Sequence, residues 1–124
     1  MKVLALDYGS ARTGVAVSDP TGTLARPVGV IAQVTKEPGR ERLLDLIRAE
    51  APDEIVVGLP LTLRGEHGAQ ARETDVFIDS LRAVVDVPVQ RYDERFTSVL
   101  AGGDDARAAA HLLTSYLEWR ASRR

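Results

Sequence analysis

Cysteine is absent from this 124-residue chain, which excludes a disulfide framework and a thiolate metal site. Histidine is scarce. His67 and His111 stand far apart with no second histidine at ligand spacing, which argues against zinc, and Ser10, Thr97 and Ser98 have no histidine nearby to activate them as nucleophiles. Long apolar runs are missing too. The stretch from Val3 to Leu6 is cut at once by Asp7, leaving neither a membrane span nor the apolar region of a signal peptide. The expectation is a cytoplasmic protein with no membrane partner. An excess of positive charge is also lacking: the net charge of −2 disfavours a broad basic footprint without excluding a local one. The basic residues are nearly all arginine, which suits phosphate recognition, although a GC-rich genome gives the same bias. Finally, the glycines of GLPLTLRG follow neither the P-loop nor the dinucleotide pattern.

What is present is ordinary for a globular fold. The chain is 44% hydrophobic and 27% charged, long enough for one sizeable core, so residues 1–124 are read as a single domain. Residues 2–6 (KVLAL) are apolar on both faces, as in a strand covered on both sides. Residues 13–19 form a second run, joined by a short polar connection that suggests an antiparallel hairpin. Arg26-Pro27 opens a third, VGVIAQV, ending near Lys36. A helix follows, with Pro38 near its start and Leu43, Leu44, Leu46 and Ile47 at helical spacing. The run EIVVG at 54–58 reads as a buried strand stopped by Gly58, Leu59 and Pro60. A helix over about 69–84 carries an inward stripe of Val76, Phe77, Leu81 and Val84 or Val85. A fifth strand spans 87–92, and a last helix runs from about Asp104 to Arg120. The order βββαβαβα implies an α/β fold, a mixed five-stranded sheet with helices on both faces.

Carboxylates fall at telling places. Asp7 lies just past the first strand, and Asp93 and Glu94 follow the fifth. Ligands collect outside the carboxyl ends of strands in open sheets. The last helix has an apolar stripe at Ala109, Leu112, Leu113, Tyr116 and Leu117, and counting back by helical steps puts Asp105 on the same face. Asp104 is the more natural cap. Each feature has a plain structural reading: a hairpin turn for Asp7-Tyr8-Gly9, a capping role for Asp105, a solvated cluster for Asp93-Glu94-Arg95, turn chemistry for Asp19-Pro20, helix packing for Tyr116 and Trp119. The conjunction points further. Three carboxylates at one spot repel, and a divalent cation removes the penalty. Oxygen ligands suit Mg²⁺ or Mn²⁺, and two such ions could clamp a phosphodiester displacement. Gly9 would then let the chain turn without crowding the ion or a phosphate.

Four segments, ALDYGSARTGVAVSD, IVVGLPLTLRGEHGAQA, YDERFTS and DARAAAHLLTSYL, resemble in order the motif blocks of the YqgF (RuvX) family of the ribonuclease H-like superfamily. The resemblance implies a ribonuclease H-like fold. It implies a divalent-metal nuclease that processes the 5′ end of precursor 16S rRNA, or a Holliday junction resolvase acting as a homodimer on branched DNA. Carried over by position, the acidic ligands are Asp7, Glu94 and Asp105, with Asp93 and Asp104 as alternates. Arg12, Arg64, Arg95 and Thr97 match positions facing the nucleic acid, and Gly58, Pro60 and Gly65 match a loop that shapes the groove. One departure stands out: only VLAGGD lies between Ser98 and Asp105, where family members carry a longer stretch. Two competing classes are an actin-like ATP-binding module, suggested by the strand–Asp–x–Gly–hairpin opening, and a non-catalytic RNA-binding protein.

Overall fold

The structure is a computed structural model that describes residues 1–59, 69–93 and 105–123, and the backbone alone of Leu59, Ala69, Gln70, Asp93 and Asp105. Its elements are β1 (Val3–Asp7), β2 (Arg12–Ser18), β3 (Ala25–Ala32), α1 (Gly39–Glu50), β4 (Glu54–Leu59), α2 (Ala69–Arg82), β5 (Val89–Asp93) and α3 (Asp105–Ala121). The five strands form one sheet in the order β3-β2-β1-β4-β5. β1 pairs antiparallel with β2 and parallel with β4, and β4 pairs parallel with β5. The expected element order and hairpin are both present.

β1 is central because its side chains are apolar in both directions, and alternation sends them to two cores. Leu4 and Leu6 join Val15, Val17, Ile55 and Val57 under α1 and α2, which contribute Leu43, Ile47, Phe77, Ile78 and Leu81. Val3 and Ala5 join Ala16 and Val56 under α3, which contributes Ala109, Leu112, Leu113, Tyr116 and Leu117. All five expected stripe residues of the last helix are therefore buried. Each large aliphatic side chain removed from water in this way stabilises the fold by about 1.5–3 kcal/mol before entropy is counted.

Several boundaries differ from the sequence reading, each for a physical reason. Asp7 is the last residue of β1 rather than the first beyond it, because it still pairs with Gly14 of β2. β3 starts earlier and ends at Ala32; Gln33 then turns the chain through a left-handed backbone (φ 48°). Pro27 is tolerated inside β3 because this strand lies at the sheet edge. β4 is not stopped at Gly58 but continues to Leu59. In α2 the inward stripe contains Ile78 in place of Val76, which is 69% exposed. Val76 lies on the opposite side of the helix from Ala71, Thr74, Ile78 and Leu81, all buried at helical spacing. The helix stops at Arg82, after which Val85, not Val84, packs against the core. No helix among the described residues is long and apolar enough to cross a membrane.

Candidate functional site

β1, β4 and β5 are parallel, so their carboxyl ends share one edge of the sheet. Asp7 closes β1 at that edge and Asp93 closes β5. The two strands are not neighbours, since β4 lies between them, a separation of roughly 10 Å at the usual strand spacing.

The face on which Asp7 stands follows from its neighbours. Tyr8 is buried with the α1/α2 core and stacks on Phe77 of α2, ring centroids 4.7 Å apart. Burial, and next the charge of Glu73, raise the Tyr8 phenol above its ordinary pKa, so it stays neutral. Leu6 lies on that same side. Alternation then puts Asp7 with Val3 and Ala5, on the face covered by α3. Asp7 is half-buried there.

Asp7 pairs directly with Gly14. Gly58 follows Val57, the partner of Leu6, and so stands level with Asp7 on the other side; Tyr92 pairs with Gly58 in turn. Ala16 and Val56 belong to the α3 core, which puts Gly14 and Gly58, two residues away on their strands, on the same face. The row across the sheet therefore reads Gly14, Asp7, Gly58, Tyr92. Asp7 is thus flanked by two residues without side chains, both of them buried. Sequence reading placed Gly58 at the end of a strand, the family resemblance matched it to a loop, and neither singled out Gly14. The signal was the GV pair of TGVAVSD, which acquires meaning only once the hairpin register is known.

The connection after Asp7 is held tightly. A Cβ on Gly9 would meet the Arg12 carbonyl oxygen at 2.4 Å, so any side chain here would force the β1–β2 hairpin open. Thr13, fully buried, donates its hydroxyl to the Gly9 carbonyl at 3.3 Å. Arg12 opens β2, two residues from Gly14, and thus emerges at the Asp7 edge with its side chain exposed.

α3 packs on β1, β2 and β3. Its C-terminal part is anchored at the opposite edge of the sheet. There Tyr116 Oη donates to Glu54 Oε1 at 2.9 Å and Arg120 Nη1 to the same oxygen at 2.8 Å. Asp105 is the first residue of the helix, at its other end, one turn ahead of buried Ala109. Asp7 and the start of α3 thus share one face. Glu94, Asp104, Arg64, Arg95, Thr97, Pro60 and Gly65 lie outside the described residues. Among the described residues no three acidic, histidine or cysteine side chains cluster closely enough to hold a metal. The donor chemistry that is present fits a hard cation: a half-buried carboxylate between two glycines, on the face covered by the helix that starts with a second acidic residue.

Asp19, outside this site, does the turn work expected of it. Its carboxylate accepts from the Thr21 hydroxyl and from the Thr23 and Leu24 backbone N–H groups. Those bonds, Thr21 first, lower its pKa to about 2. Trp119 is 45% exposed and packs beside Tyr92 and Tyr116, as expected of helix packing.

Comparison with known proteins agrees with this architecture. The fold is ribonuclease H-like, shared with two resolvase structures. One is the Fowlpox virus resolvase with its substrate Holliday junction DNA (TM-score 0.61, 17% identity, covering 97% of this chain and 99% of that one). The other is T. thermophilus RuvC in complex with a Holliday junction substrate (TM-score 0.56, 21% identity, covering 98% and 96%). Relatives named "Putative pre-16S rRNA nuclease" are closer in sequence. That of Roseiflexus sp. (strain RS-1) is 46% identical over 100 residues, which is 81% of this chain and 71% of the relative. That of Rubrobacter xylanophilus is 44% identical over 131 residues, covering 94% and 92%. This last span exceeds the 124 residues of the present chain, so the relative carries residues without counterpart here. The family model for RuvX, Holliday junction resolvase, matches residues 1–119, and the chain belongs to the RuvX family.

Proposed function

We propose that the chain is a divalent-metal-dependent nuclease acting in the cytoplasm on structured nucleic acid, with precursor 16S rRNA, at its 5′ end, as substrate. Asp7, Glu94 and Asp105 would hold Mg²⁺ or Mn²⁺, with Asp93 and Asp104 as alternates. The observation that carries this reading is the placement of Asp7: a carboxylate at the end of the central strand, half-buried, on the face covered by the helix that Asp105 begins. The preference for Glu94 over Asp93 rests on the family resemblance alone.

A divalent ion held by Asp7, Glu94 and Asp105 would supply activation of water for attack on phosphorus and charge stabilisation at the leaving oxygen. The chain's own residues position the phosphate. Arg12 emerges at the same edge and face as Asp7, where a guanidinium offers a fork to a phosphate oxygen. Arg64, Arg95 and Thr97 would extend that contact, and the loop carrying Pro60 and Gly65 would shape the groove. Stacking of Tyr8 on Phe77 holds the preceding carboxylate on its face, so orientation is set before substrate arrives.

The substrate follows the names of the relatives. A second reading, cleavage of Holliday junction DNA, is favoured by the family description and by the junction complexes of two structural neighbours. A four-way junction presents two equivalent strands, so that reading requires a twofold homodimer.

The test is cleavage of a precursor 16S rRNA 5′ fragment and of a synthetic four-way junction in Mn²⁺, with the oligomeric state measured on each. The precursor is expected to be cut, and Asp7→Asn to lower the rate by about a thousandfold or more, as for loss of a metal ligand, with the fold retained. Full activity in Asp7→Asn, or in chelator, contradicts the mechanism. Paired symmetrical cuts in the junction by a dimer, with the RNA untouched, would replace the first substrate by the second.

A further inference from the structure

The row Gly14, Asp7, Gly58 contrasts with Val3, Ala5, Ala16 and Val56, whose side chains on the same face all pack into the α3 core. Asp7 has a residue without a side chain on each flank, and both glycines are buried. We propose that Gly14 and Gly58 are positioning residues. Their missing side chains keep the floor on each side of Asp7 clear for a divalent cation and a non-bridging phosphate oxygen bound to it. This rests on the metal-nuclease reading above and deepens it.

The geometry is specific. Cβ atoms of directly opposed residues in an antiparallel pair lie about 4.5–5.5 Å apart. A methyl group at position 14 would therefore stand beside the Asp7 side chain, in the space where a metal at the usual oxygen distance of about 2.0–2.2 Å must fit with its waters. The same holds at position 58, one strand spacing away on the opposite flank. A magnesium ion that keeps several waters needs more room than the carboxylate alone occupies.

The competing explanation is packing: α3 lies closely on β2, and Gly14 could be small merely to let the helix approach. The two explanations separate cleanly. If glycine serves the helix, a methyl group destabilises the fold; if it serves the ion, stability survives and metal affinity falls. Glycine in a strand otherwise disfavours the strand, so a fold-neutral alanine is expected to keep or raise the unfolding temperature. Gly29 supplies the control. It also lies in a strand, and a Cβ there meets nothing within 4 Å.

The experiment titrates Mn²⁺ calorimetrically into the parent protein, Gly14→Ala, Gly58→Ala, Gly29→Ala and Asp7→Asn, with thermal unfolding measured on each. Gly14→Ala and Gly58→Ala are expected to unfold within a few degrees of the parent and to bind Mn²⁺ at least tenfold more weakly. Gly29→Ala should match the parent in both. Parent-like Mn²⁺ affinity in the two variants would overturn the proposal, as would collapse of both folds; if one fails to fold, the other decides. A parent protein that binds no Mn²⁺, or binds it equally after Asp7→Asn, would instead overturn the metal-nuclease reading and this inference with it.

Discussion

Glu54 shows what a buried charge demands at the scale of one residue. Only 6% exposed, it starts β4 beneath α3 and receives both the Tyr116 hydroxyl and the Arg120 guanidinium on one oxygen. Breaking such a pair from one side leaves an uncompensated charge. Because Arg120 keeps 31% of its side chain in solvent, water relieves part of the cost, and Arg120→Met is expected to lower stability by about 2 kcal/mol in urea unfolding. Tyr116 adds a pH signature. Burial first, then its bond to Glu54, push the phenol up to about 12. In the unfolded chain it ionises near 10. Its contribution to stability is therefore complete below pH 10 and is lost as the pH rises toward 12. Urea midpoints measured between pH 9 and 11 should fall, and fall less in Tyr116→Phe. An identical decline in that variant would show that other groups govern alkaline stability. This anchor matters to the site because it fixes the end of α3 opposite Asp105.

Among the elements, α1 meets the sheet with almost no clearance. A Cβ on Gly39, the first helical residue, would lie 2.1 Å from the Ala32 carbonyl oxygen and 2.3 Å from that of Gln33. Backbone cannot give way as a side-chain tip can. Gly39→Ala is expected to cost at least about 2 kcal/mol despite alanine's better helix propensity, and an unchanged urea midpoint would contradict the packing described. Such constraints explain which elements could be read from sequence. The α3 stripe was legible because Ala109, Leu112, Leu113, Tyr116 and Leu117 repeat at helical spacing among polar residues, and all are buried. The α2 stripe was legible only in part. Val76 is apolar yet faces solvent, and composition alone cannot say which of two adjacent apolar residues faces inward. The extent of β3 was hidden because an edge strand has half its positions exposed and even accommodates Pro27.

Across the whole molecule, the element order and the two-faced sheet followed from where apolar runs change period. Beyond the β1–β2 hairpin, the pairing did not. That β4 separates β1 from β5 is a long-range fact, and it sets how far apart the acidic positions at the sheet edge begin. Asp7 was legible as a candidate because a carboxylate closing a buried strand needs a reason. Gly14 was not, because its meaning depends on the register that sets it against Asp7. Family resemblance supplied roles for Glu94, Arg64, Arg95 and Thr97, which spacing alone could not provide.

The central claim is that Asp7, Glu94 and Asp105 come together on a divalent ion. A crystal structure grown in Mn²⁺, with the metal located by its anomalous scattering, tests it most directly. The account predicts a peak bonded to the Asp7 carboxylate on the α3 face, between Gly14 and Gly58, with Glu94 and Asp105 among its ligands. A well-ordered sheet edge with no metal at Asp7, or with the three carboxylates directed to separate surfaces, would contradict it.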